Sequence, residues 1–161
     1  MEMSKTRQWP SLATLLFVTF AAAAIGGLAT ADAVTTWYQT LAKPEWTPPA
    51  WLFGPAWTLL YGMMAWAAWL VWCRHEEREV MPALSAYFFQ LMLNASWSVI
   101  FFGLRQPGWA CVEIAALWVA IAFTLRAFWR LSPAAGALLV PYLAWVTFAA
   151  ALNLAIWRLN S

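Results

Sequence analysis

The sequence predicts an all-α fold: an integral membrane bundle of five transmembrane helices, forming a single domain over residues 1–161. Three observations carry the prediction. Of 161 residues, 64% are hydrophobic and only 10% charged, whereas soluble domains carry roughly a quarter charged residues. The charges fall in short clusters separated by long uncharged runs. A stiff segment rich in proline and tryptophan divides the first two runs. The net charge of +2 is small and scattered, which argues against a nucleic-acid partner. The first apolar run lacks a small-residue cleavage site and is long enough to span a membrane, so it reads as a helix and not a cleavable signal.

Uncharged runs set the helices. Arg7 and Asp32 enclose 24 uncharged residues, Glu45 and Arg74 enclose 28, Glu79 and Arg105 enclose 25, and Arg130 and Arg158 enclose 27. Each exceeds the roughly 20 residues that cross a hydrocarbon core. A further span is predicted over 109–129, although Glu113 and Arg126 leave only 12 uncharged residues between them. Glu113 is expected one turn from the helix start, where the dipole favours an anion. Arg126 is expected one turn from the end, where its stem can snorkel. Four spans plus an interfacial helix is the alternative. Five spans put the termini on opposite sides. Lys5, Arg7, Arg74, Arg78, Arg126 and Arg130 then share one side, against Lys43, Arg105 and Arg158 on the other. The positive-inside rule puts the N-terminus in the cytoplasm and the first loop outside.

The first helix is predicted over 10–31. Its small residues recur four apart, as Ala22/Gly26 and Ala23/Gly27, which lets helix backbones approach closely. Packing within one bundle and a dimer face are both open readings. Residues 32–52 are predicted as a lid loop, because Pro44, Pro48 and Pro49 lack an N–H and bias their predecessors toward extended backbone. The second helix is predicted over 53–73, with Pro55 tolerable in its first turn. Trp66, Trp69 and Trp72 near its end read as an interfacial aromatic belt. His75, the single histidine, lies in a hydrophilic charge run with no partner ligand, which argues against a metal or haem-ligand role.

The third helix is predicted over 82–104. Gln90, Asn94, Trp97, Ser98 and Phe101 share one face. Amides in lipid are costly unless paired, so this face should look inward; the amides either bond neighbouring helices or meet a ligand. The fourth helix is predicted over 109–129 and the fifth over 134–157. Pro141 lies inside the fifth and predicts a kink or an unpaired carbonyl one turn earlier. Tyr142, Trp145, Ala149, Leu152 and Asn153 make its expected inward face. Cys73 and Cys111 fall at opposite membrane ends and cannot pair within one chain.

Threading brings several inward groups to one depth. Trp57 and Tyr61, Asn94 and Trp97, and the Trp145–Asn153 stretch all fall in the half of the membrane beneath the proline loop. Aromatics with one or two amides under a rigid lid suit a flat, mostly apolar ligand. No triad, metal cluster, phosphate loop or paired acid is visible. Without central charges, an ion pump or secondary transporter is poorly supported.

At these residues the chain resembles the TspO/translocator protein family, also called tryptophan-rich sensory proteins or peripheral-type benzodiazepine receptors. The carriers are Trp37-Tyr38, Lys43-Pro44 through Trp46-Thr47-Pro48-Pro49, and Phe53-Gly54-Pro55 through Trp57 to Tyr61. Gln90-Leu91 through Asn94 and Trp97 to Phe101-Phe102 add to them, as do Pro141-Tyr142 through Trp145 to Leu152-Asn153. The resemblance covers almost the whole chain. It implies a five-helix bundle in a bacterial membrane, often dimeric. It implies binding of porphyrins, haem-related tetrapyrroles, sterols and benzodiazepine-type drugs, with porphyrin or haem as ligand and no required cofactor. The lining it implies is Tyr38, Pro48, Trp57, Tyr61, Asn94, Trp97, Trp145, Ala149 and Leu152. It also implies a possible light-dependent porphyrin breakdown using Trp57 and Trp145. One departure stands out: the family's sterol motif needs a tyrosine ahead of Arg158, and residues 152–157 contain none.

Three functions follow as expectations. The first is a tetrapyrrole-binding receptor or carrier. The second is a photo-oxidising enzyme acting on porphyrin. The third is a scaffold that binds a protein partner through the small residues of the first helix.

Overall fold

The computed structural model describes residues 9–161, and the regular structure in them is entirely helical. Five long helices form: α1 (Trp9–Thr35), α3 (Phe53–Trp72), α4 (Val80–Ser98), α5 (Pro107–Leu131) and α6 (Pro133–Leu159). A single turn, α2 (Trp37–Thr40), and a 3₁₀ turn, Ala50–Leu52, interrupt the first loop. The bundle therefore has six α-helices, not five. Four of the long ones, with α4 counted through Gly103, are long and apolar enough to cross a membrane. The chain is a multi-pass membrane protein. α3 has the length, about 30 Å at 1.5 Å per residue, and no charge. Its four tryptophans, Tyr61, Pro55 and two glycines, all low on the hydropathy index, keep its mean hydropathy below that of the other four.

Helix ends depart from the sequence expectation for local reasons. α1 continues past Asp32, whose carbonyl accepts from the hydroxyls of Thr35 and Thr36 at 3.0 and 2.8 Å. The loop thus begins four residues later than expected. α4 starts at Val80, with Pro82 in its first turn, where a missing N–H costs nothing. It ends in a π-helical turn over Val99–Gly103. α5 starts at Pro107, so Glu113 is its seventh residue and not one turn from the start. α6 runs unbroken through Pro141. Lys5 and Arg7 of the expected basic side lie outside the described residues.

The helices close into a ring in the order α1, α3, α6, α5, α4, with α4 returning to α1. Ser132 joins α5 to α6. Its N–H donates to the Phe128 carbonyl at 2.7 Å, and its hydroxyl accepts from the Ala135 N–H, satisfying one orphan donor of the helix start. Gly136 follows directly under Trp129. A Cβ there would lie 2.8 Å from the Trp129 Cα. Gly26 likewise lets α1 approach α4, because its Cβ would meet the Ser98 Oγ at 3.1 Å. That pair is close packing within the bundle. At the end away from the loop, Trp9 stacks on Trp69 at 6.2 Å, Trp66 lies 5.1 Å from Trp69, and Trp72 stacks on His75 at 5.9 Å. Cys73 and Cys111 are free thiols.

Candidate functional site

Below the first loop the ring encloses a cavity of about 500 Å³, within the range of roughly 300–1,000 Å³ usual for small-molecule sites. α6 supplies Trp145, Ala149 and Leu152, α3 supplies Trp57 and Tyr61, α4 supplies Trp97, and α2 supplies Tyr38. Seven of the nine expected lining residues therefore meet on one surface. Pro48 and Asn94 do not border it. Pro48 is half-buried in the loop, and Asn94 stands one layer behind the wall.

Trp57 is the hub of the aromatic wall. Its ring centre lies 5.5 Å from Tyr61, 6.3 Å from Tyr142 and 6.4 Å from Trp145, the last nearly perpendicular at 85°. Edge-to-face pairs of this kind contribute about 0.5–1.5 kcal/mol each beyond burial. Trp97 stacks on Phe101 at 5.3 Å, and its indole N–H donates to the Asn153 Oδ1 at 3.0 Å. Asn153 Nδ2 donates in turn to the Pro107 carbonyl at 2.9 Å. The Trp145 indole N–H is buried with no hydrogen-bond partner. A bound acceptor could satisfy that donor.

Behind the wall runs a chain of polar groups. Tyr61 donates its hydroxyl proton to the Asn94 Oδ1. Asn94 Nδ2 donates to the Tyr142 hydroxyl at 3.0 Å, and that hydroxyl donates to the Gln90 Oε1 at 2.8 Å. The two amides of α4 thus bond neighbouring helices, one of the two readings left open by the sequence. Bonds of this type in membrane bundles average only about 0.6 kcal/mol, so the network fixes ring orientation more than it stabilises the fold.

The roof is tied down at its edges. Lys43 Nζ donates to the carbonyls of Tyr38 and Leu41 at 2.8 and 3.0 Å and lies 4.9 Å from the Tyr38 ring centre. Burial raises the Tyr38 phenol above its ordinary pKa, so Tyr38 presents a neutral ring to the cavity. Trp46 packs edge-on against Phe148 at 5.8 Å. Among the described residues, no group of His, Cys, Asp or Glu could hold a metal ion.

The profile of the TspO/MBR family matches residues 13–158. The chain belongs to the TspO/MBR family. Human translocator protein is 46% identical over 127 residues, covering 77% of this chain and 75% of its own length. Tryptophan-rich protein TspO of Chlorobaculum tepidum is 41% identical over 155 residues, covering 96% and 98%. Tryptophan-rich sensory protein of Cereibacter sphaeroides is 41% identical over 148 residues, covering 90% and 91%.

Sequence reasoning missed the contribution of α1. Phe20, Ala23, Gly27, Thr30, Ala31 and Val34 all border the cavity. A signal was present: Ala23, Gly27 and Ala31 recur every four residues on one face. Small residues read equally well as packing, and neighbouring Gly26 does both, meeting Ser98 and bordering the cavity.

Proposed function

We propose that this protein is a membrane receptor or carrier for tetrapyrroles, protoporphyrin and haem-related rings, with benzodiazepine-type or sterol-like apolar molecules as further ligands. The ligand lies in the cavity under the first loop, against Tyr38, Trp57, Tyr61, Trp97, Trp145, Ala149 and Leu152. Pro48 braces the roof and Asn94 orients Tyr61 from behind. The observation that carries this reading is the convergence of aromatic rings from α2, α3, α4 and α6 on a single apolar volume. A flat ring gains stacking area there, and the unpartnered Trp145 N–H offers one directional donor. Relatives named for translocation and for sensing support a transport or sensory role. The protein needs no cofactor, works as a homodimer in a bacterial membrane, and has α3 as its fifth span.

Titrating protoporphyrin IX against the purified protein and reading tryptophan quenching tests the reading. Saturable quenching is expected, with Trp57→Ala and Trp145→Ala each weakening affinity about tenfold, the equivalent of one lost aromatic pair at the upper end of its range. Absent saturation, or an unchanged affinity in both variants, would reject it.

A second reading is light-dependent porphyrin degradation. The perpendicular Trp57–Trp145 pair favours it, because an indole beside a photoexcited porphyrin can donate an electron, with dioxygen as the oxidant. Its mark is a new absorbing product under light that Trp57→Phe abolishes. Bleaching no faster than that of free porphyrin would eliminate this activity.

A further inference from the structure

The residues around the cavity are unevenly exposed. Trp97, Phe101, Tyr61, Trp145, Leu152 and Ile156 are buried or half-buried, whereas the exposed lining residues all belong to α1 or to the start of the α3 segment: Phe20, Gly27, Ala31, Ala50, Gly54 and Thr58. These are two facing edges. Trp9 meets Trp69 near one end, and Phe20 meets Tyr61 at 6.2 Å further along. The two helices are therefore antiparallel. Stepping one turn at a time from the Phe20–Tyr61 contact toward the loop brings Ala23 level with Thr58 and Gly27 level with Gly54, with Ala31 and Ala50 beyond them where the 3₁₀ turn precedes α3. Every rung carries small side chains on both sides. At Gly27 and Gly54 even an added Cβ would meet nothing within 4 Å.

The roof is the opposite case. Ala42 is clamped at both its backbone groups by the side chain of Asn160, which caps the C-terminal end of α6. Its N–H donates to the Asn160 Oδ1 and its carbonyl accepts from the Asn160 Nδ2, both at 2.9 Å. The Asn160 Nδ2 also donates to the Ile156 carbonyl at 2.7 Å, which fixes the amide. With Trp46 against Phe148, the loop is held to α6 at two points. Lifting it breaks three polar or aromatic contacts, whereas passing between the small-residue edges breaks none.

We propose that ligands reach the cavity sideways from the bilayer, through a slot between α1 and α3 framed by Gly27 and Gly54, and not through the loop. The outward neighbours of the slot on α1 are Phe17 and Leu28, both exposed, so the mouth opens on acyl chains. The route selects ligands that partition into lipid and are thin enough to pass edge-on between two helices. Polar molecules that fit the cavity but stay in water are excluded by the path. The proposal rests on the cavity being the ligand site, and the second measurement below does not.

The full chain in lipid nanodiscs, with protoporphyrin IX as probe, gives the first measurement by stopped-flow tryptophan quenching. Gly27→Phe and Gly54→Phe each put a ring into the slot. Both are expected to slow association and dissociation together, by about tenfold or more, as a narrowed path does. A lost wall contact would instead speed dissociation. Asn160→Ala, which frees the roof, is expected to leave both rates unchanged. Unchanged rates in the glycine variants with faster rates in Asn160→Ala would overturn the proposal.

The second measurement needs no bound ligand. With Cys73 and Cys111 replaced by alanine, Ala149→Cys puts a lone thiol on the cavity wall. An apolar maleimide dissolved in the bilayer is expected to label it, more slowly once Gly27→Phe is added, while a charged, impermeant maleimide labels it poorly. Labelling led by the charged reagent and accelerated by Asn160→Ala, or indifferent to Gly27→Phe, would overturn the slot. If protoporphyrin fails to quench saturably but labelling follows the slot, the binding reading falls and the route stands.

Discussion

Asn94 accepts from the hydroxyl of Tyr61 and donates to that of Tyr142, so neighbouring helices occupy both of its polar functions. It is 3% exposed, and no water competes for those bonds. Removing one partner from such a set costs the desolvation of the groups left behind, about 1–3 kcal/mol. Asn94→Leu should therefore lower unfolding stability in detergent by about that amount. It should weaken porphyrin binding only as far as Tyr61 loses its fixed orientation. A loss of affinity as large as that of Trp57→Ala, at unchanged stability, would mean that Asn94 itself reaches the ligand. Sequence alone could not decide between these roles. Helical periodicity finds the face a side chain shares, and Asn94 does share the Trp97 face. It does not find the layer, because Tyr61 from another helix stands in front.

At the scale of the helix, two glycines show how the same residue type carries opposite consequences. Gly136 opens α6 directly beneath Trp129, and its missing Cβ leaves room for the Trp129 backbone at 2.8 Å. Backbone cannot yield as a flexible side chain does, so the α5–α6 hairpin must open by a fraction of an ångström to admit a methyl group. Gly136→Ala is expected to destabilise by about 1–3 kcal/mol, the usual cost of overpacking. Gly62 lies mid-helix in α3 with nothing within 4 Å of a built Cβ. Gly62→Ala is expected to stabilise by about 0.5–1 kcal/mol through helix propensity alone. Thermal unfolding of the two variants in the same detergent checks both signs, and a shared sign would refute the packing argument. The helices themselves were legible because charges mark their ends in lipid. Asp32 misled that rule by one turn of α1, since a single carboxylate at the surface does not stop a helix whose next hydroxyls bond back to it. The α1 side of the cavity stayed hidden because a glycine that packs and a glycine that borders empty space look identical in a sequence.

For the whole molecule, the arrangement of the cavity depends on α3 crossing the membrane. α1, α4, α5 and α6 declare themselves by length and apolar character, and a bundle of four would leave both termini on one side. α3 is instead dense in tryptophan, which lowers its mean hydropathy but makes ring contacts inside the bundle: Trp57 against Tyr142 and Trp145, and Trp69 against Trp9. It is inserted between α1 and α6 in the ring, at full membrane length and without a charge. A helix lying on the surface could not place Tyr61 within reach of both Phe20 and Asn94 while keeping Val71, ten residues on, fully buried. Glu45 and Glu76 flank it, both exposed in loops. With the native cysteines removed, Glu45→Cys and Glu76→Cys should react with an impermeant thiol reagent from opposite faces of a sealed membrane. From the charge bias of the sequence, position 76 is expected to label from the cytoplasmic face. Labelling of both positions from one face would remove α3 from the membrane. The aromatic wall built on Trp57 would go with it, because Trp57 then could not share a depth with Trp145.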